Sequence, residues 1–159
     1  MPIILGIDPG SRITGFGVID TACNKQRYIA SGSIHIAKST FGEQLKQIFN
    51  RISELVALHH PEEAAIEQVF VHANVNSALK LGQARGVAIV AVAQSGISIA
   101  EYSARQVKQA VVGYGNAEKS QVQHMVKLLL KLQNEPQADE ADALAIAICH
   151  ANSRRGFSL

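Results

Sequence analysis

The chain opens with an apolar run, Ile3-Ile-Leu-Gly-Ile7, that ends on a single carboxylate, Asp8, followed by Pro9 and Gly10. A run apolar on both faces is expected of a strand covered by layers above and below. Asp-Pro-Gly on its own is a turn, each residue favouring one for a separate physical reason. Gly15 and Gly17 then alternate with Phe16 and Val18, which predicts a second strand over 15–19 that hairpins against the first. The bare face left by these glycines gives a ligand room beside Asp8. A third strand is predicted from Arg27 to Ile36, alternating Tyr28, Ala30, Gly32, Ile34 and Ile36 on one face.

Thr40-Phe-Gly-Glu43 has capping-box spacing, and Leu45, Ile48, Phe49, Ile52, Leu55 and Val56 recur at helical intervals up to Pro61. A short strand follows over Glu63–Phe70. The order strand, helix, strand implies parallel pairing, placing it beside the first strand. The pattern from Asn76 to Ser95 is helical, and Val87-Ala-Ile-Val-Ala-Val-Ala93 carries no polar residue on any face. Such a helix is buried all round. One sheet covers only one side of it, so the other must meet another helix or a second copy of the chain, and a dimer contact through Val87, Ile89 and Val90 is the favoured expectation. A last strand is predicted over Ile97–Tyr102, and a helix capped by Ser103 ends near Gly113. Asn116 caps the next helix, and Ala138–His150 forms an Ala-rich final one. The pattern as a whole is α/β.

With 159 residues and 47% hydrophobic content the chain suits one compact domain. No apolar run approaches the roughly 20 residues of a membrane span, and no charged, cleavable leader precedes the first strand. These features predict a cytoplasmic protein. Cys23 and Cys149 lack zinc-site spacing and read as reduced structural thiols. Net charge is only +2, yet between His72 and Asn134 seven basic residues face two acidic ones. That basic third fits either a polyanion partner or solvated helix faces.

Glu67 is embedded in a strand that otherwise looks interior, and buried carboxylates are rare unless paired or metal-bound. Parallel pairing brings its strand end beside that of Asp8, at the edge where open α/β sheets bind ligands. Asp139 and Asp142 stand three apart on one face of the last helix, where they also serve its N-terminus. If that helix packs near the ends of both strands, four carboxylates converge. They cannot all ionise without cations, and all-oxygen ligands select Mg²⁺ or Mn²⁺.

Six segments in order carry a resemblance. They are Ile4-Leu-Gly-Ile-Asp-Pro-Gly-Ser-Arg-Ile-Thr-Gly-Phe-Gly-Val18, Ala65-Ile-Glu-Gln-Val-Phe70, Ser77-Ala-Leu-Lys-Leu-Gly-Gln-Ala-Arg-Gly86, Ala104-Arg-Gln-Val-Lys108, Ala117-Glu-Lys-Ser-Gln-Val-Gln123 and Ala138-Asp-Glu-Ala-Asp-Ala-Leu-Ala145. Together they resemble the RuvC family of bacterial Holliday junction resolvases. The resemblance implies a ribonuclease H-like fold, a five-stranded mixed sheet with helices on both faces, over residues 1–152, with 153–159 a short tail. It implies a catalytic, metal-binding quartet of Asp8, Glu67, Asp139 and Asp142, holding two Mg²⁺ ions per site with Mn²⁺ as a substitute. It further implies a homodimer that nicks opposed strands of a four-way DNA junction, beside a branch-migration motor of RuvA and RuvB.

Within that frame Lys108 and Lys119 are DNA contacts, with Lys80 and Arg85 as further candidates, and Phe70 stacks on a base. Each lysine also reads as an ordinary surface residue, and Phe70 as core. Asp8 is the best candidate to bridge both ions, whereas Asp139 or Asp142 assists the attacking water. Two other readings compete. An actin-like ATP-binding protein needs a second, repeated domain that the chain lacks, and a noncatalytic nucleic-acid module would keep its function in Asp8→Asn.

Overall fold

The computed structural model describes residues 2–69 and 74–155. β1 (Ile3–Asp8) pairs antiparallel with β2 (Ile13–Asp20), which pairs antiparallel with β3 (Arg27–His35). On its other side β1 pairs parallel with β4 (Glu63–Glu67), and β4 parallel with β5 (Ser98–Tyr102). The sheet has five strands in the order β3-β2-β1-β4-β5. Ile7 lies opposite Ile66, so Asp8 and Glu67 leave the same edge on adjacent strands.

Strand periodicity sorts the side chains between two cores. Leu5, Ile7, Val18, Ala64 and Ile66 pack against α1 (Phe41–His59) and α2 (Val75–Ala93). Ile4, Ile19 and Ala65 face α3 (Ala104–Val112), α4 (Lys119–Leu129) and α5 (Ala138–Arg155). Asp8 shares the parity of Ile4, and Glu67 that of Ala65, so both carboxylates project toward the α5 layer. Capping follows the sequence at α1, where Thr40 accepts from the Glu43 amide, and at α3, where Ser103 and Gln106 cap reciprocally.

The structure corrects several expectations. The bare glycine face of β2 is filled by α5 rather than left for a ligand. A Cβ on Gly15 would overlap the Asp139 carbonyl, one on Gly17 would meet the Leu144 side chain, and one on Gly6 would overlap the Ala143 carbonyl. β4 stops at Glu67, short of Phe70, which lies outside the described residues. The cap of α4 is Glu118, not Asn116, with its amide donating to the Gln121 side chain. Nor does the chain loosen at residue 153. α5 runs to Arg155, because Ser153 bonds the Cys149 carbonyl and Arg154 pairs with Glu63 at 3.0 Å.

α2 is not buried all round. Ala84, Ala88, Ala91 and Val92 turn inward, and Val87 and Ile89 are half-buried against the same core. Val75, Leu79 and Val90 are 64%, 60% and 58% exposed, and with the exposed Gly82 and Gly86 they form one apolar stripe along the helix. The uniform run misled because Ala88, Ala91 and Val92 turn into the core while the equally apolar Val90 faces solvent. Among the described residues no helix is long and apolar enough to cross a membrane.

Candidate active site

Asp8 and Glu67 arrive from the ends of β1 and β4, and Asp142 from the second turn of α5. The three line one cavity of about 270 Å³ together with Lys108 of α3 and Lys119 at the start of α4, backed by Val107 and Val122. The approach of α5 is set by the glycines of β1 and β2, since any larger residue at Gly6 or Gly15 would hold the helix off the sheet.

Burial dominates the electrostatics. It raises the Asp8 carboxyl to about 7, helped by the nearby charges of Asp142, Glu67 and Asp139 and opposed by Lys119. Glu67 is raised by burial and by Asp142 against the pull of Lys108 and Lys119. Asp142 is likewise raised by burial, and Lys119 draws it back down from 3.7 Å away. Two lysines thus compensate only part of the acidic charge, and Asp8 itself has no ion-pair partner within 4.0 Å among the described residues. Carboxylates so placed near neutral pH bind either protons or cations.

Asp139 is half-buried at the opening turn of α5. It is not part of the cavity lining, but it is close enough for its charge to raise Asp8. Among the described residues, no three acidic, His or Cys side chains already stand close enough to enclose an ion. The carboxylates line an open cavity rather than a closed cage. An all-oxygen donor set beside open space suits a hard divalent ion that keeps positions for water or substrate oxygens.

The remaining predicted residues divide. Lys80 is exposed on α2 and does not line the cavity. Arg85 is turned to the opposite layer, where its Nη2 pairs with Glu101 at 2.6 Å and its Nε donates to the Glu67 carbonyl at 3.2 Å. That contact was hidden from the sequence, because it joins residues 18 positions apart across two elements.

The family profile described as crossover junction endodeoxyribonuclease RuvC matches residues 4–150. The crossover junction endodeoxyribonuclease RuvC of Hahella chejuensis is 57% identical over 154 residues, covering 97% of this chain and 90% of that protein. Its counterpart from Coxiella burnetii is 60% identical over 153 residues, covering 96% and 89%. The solved structure of T. thermophilus RuvC in complex with Holliday junction substrate superposes with a TM-score of 0.91 at 34% identity, covering 98% of this chain and 97% of that one. Matched along almost its whole length in both sequence and fold, the chain belongs to the RuvC family of crossover junction endodeoxyribonucleases.

Proposed function

We propose that this protein resolves four-way DNA junctions by hydrolysing phosphodiesters on opposed strands, acting in the cytoplasm during recombination and repair. The observation that carries the reading is the cavity where Asp8, Glu67 and Asp142 meet Lys108 and Lys119 at the strand ends. Asp8, Glu67, Asp139 and Asp142 would hold two Mg²⁺ ions, or Mn²⁺ in their place. When bound, the ions supply the positive charge that activates water and stabilises the leaving oxygen.

The chain's own residues set up the rest. Asp8, whose carboxyl is raised by Asp142, Glu67 and Asp139 alike, would be the central donor of the set. Lys119, within ion-pair distance of Asp142, holds that carboxylate and exchanges it for a phosphate oxygen as DNA enters. Lys108, on the same wall, tracks the backbone. Asp139 completes the donor set from the rim or accepts the proton of the attacking water. Phe70, outside the described residues, is proposed to stack on an unpaired base. The nuclease domain extends through α5 to Arg155.

Paired cuts need two such sites. The apolar stripe of Val75, Leu79 and Val90 on α2 supports a homodimer, and RuvA and RuvB supply the branch-migration motor. Val90 tests the pairing better than the half-buried Ile89. Val90→Asp is expected to halve the mass seen in sedimentation with the fold intact, and an unchanged mass would refute the pairing through α2. The reaction is tested by incubating the protein with a synthetic four-way junction and a linear duplex of the same sequence, with Mg²⁺ or with EDTA. Paired nicks on the junction alone, dependent on Mg²⁺, are expected. Equal nicking of the duplex, or nicking in EDTA, would defeat the proposal.

A further inference from the structure

Arg85 carries a cation in the basic third of the chain, yet it does not face the cavity. Its side chain is 18% exposed and lies on the α1/α2 side of the sheet, whereas Asp8 and Glu67 project to the α5 side. Its guanidinium makes two directed contacts. Nη2 pairs with Glu101 of β5 at 2.6 Å, and Nε donates to the main-chain carbonyl of Glu67 at 3.2 Å. The same strand end is held from β5, because the Gln68 amide donates to the Tyr102 carbonyl at 2.8 Å. Glu67 is the last residue of β4 in register with β5, opposite Tyr102.

We infer that Arg85 is a positioning residue: it fixes the peptide of Glu67 from behind the sheet, with Glu101 as its brace, and so sets where the Glu67 carboxylate stands in the cavity. This rests on Glu67 serving as a metal carboxylate, as proposed above. A planar, forked donor suits the task, since it reaches a carboxylate and a carbonyl at fixed mutual geometry. A lysine offers the same charge without the fork. Arg85 also belongs to α2, the helix whose outer stripe meets the second copy in the proposed dimer, so subunit pairing and Glu67 placement share one rigid element.

Arg85→Lys separates charge from geometry. In metal-free protein, amide exchange at Gln68 is expected to accelerate about tenfold, and the Mn²⁺ concentration for half-saturation in calorimetry without DNA to rise about tenfold. Junction affinity and its salt dependence should match the parent. Glu101→Gln, a milder change, should move both quantities in the same direction by a smaller factor, and it keeps the test decisive if Arg85→Lys folds poorly. Parent-like exchange and Mn²⁺ binding in both variants would overturn the inference. So would Arg85→Gln binding junctions more weakly with a salt slope shallower by about one, the signature of a direct phosphate contact. If the parent itself fails to nick junctions, the proposed reaction falls, while exchange and ion binding still decide the role of Arg85.

Discussion

The two ends of α5 meet the sheet under opposite electrostatic rules. Near its C-terminus the described ionisable side chains have partners. His150, 9% exposed, lies between the Tyr102 hydroxyl at 2.7 Å and Glu63 at 2.6 Å, and Arg154 reaches the same carboxylate at 3.0 Å. One imidazole tautomer satisfies both contacts, with Nε2–H donating to Glu63 and Nδ1 accepting from Tyr102. Near its N-terminus, Asp142 and Asp139 are pressed toward Asp8 and Glu67 with only lysines to offset them. The paired end anchors the helix. The under-compensated end stores the repulsion that a cation relieves, and a helix anchored at one end is what keeps the other in place.

The sharpest way to break this contrast is Asp8→Asn. Junction nicking should fall on the order of 10³-fold or more. In EDTA at pH 8 the same variant should be more stable than the parent, by up to about 4 kcal/mol in denaturant unfolding. The sign follows from linkage: folded Asp8 keeps its proton to about 7, whereas the unfolded residue loses it near 3.8. Metal-free stability therefore declines as pH rises between those values and stays reduced above them. A destabilised Asp8→Asn would mean that the cavity end is satisfied without cations.

At the paired end the expectation reverses. Glu63→Gln removes the charge shared by His150 and Arg154, and should cost about 2 kcal/mol, or roughly 4–8 °C in Tm, while nicking at 25 °C stays within about twofold. Lost nicking without lost stability would place Glu63 in the reaction instead. The smallest effect sharpens the contrast through pH. Below about 7, protons compete with Mg²⁺ at Asp8, so the half-saturating Mg²⁺ concentration should rise by up to about tenfold per pH unit. A flat dependence from pH 5.5 to 7.5 would show that Asp8 is already ionised there.

The positions of Asp8 and Glu67 were legible because strand parity and parallel pairing are local, periodic properties. Seen from the sequence, an apolar run ending on Asp8 and a strand, helix, strand order already bring two carboxylates to one edge. The acids of α5 were legible as a pair on one face, and their arrival at the sheet depended on packing. What the glycines of β2 admit was misread, since absent side chains reveal space but not its occupant. The direction of Arg85 was illegible for a related reason: a charge count carries no direction, and only tertiary structure tells which layer a side chain enters. The exposed stripe on α2 was hidden because hydropathy cannot separate a residue facing the core from an equally apolar one facing water.

Gly15 rests against the Asp139 carbonyl and Gly6 against that of Ala143, so at these two points main chain meets main chain between the hairpin and the helix that bears the acids. The spacing of the active site is therefore gauged by the peptide backbone, a ruler with no rotamers to blur it. A single methyl added at Gly15 would act as a shim, widening the gap between hairpin and helix without touching any charge.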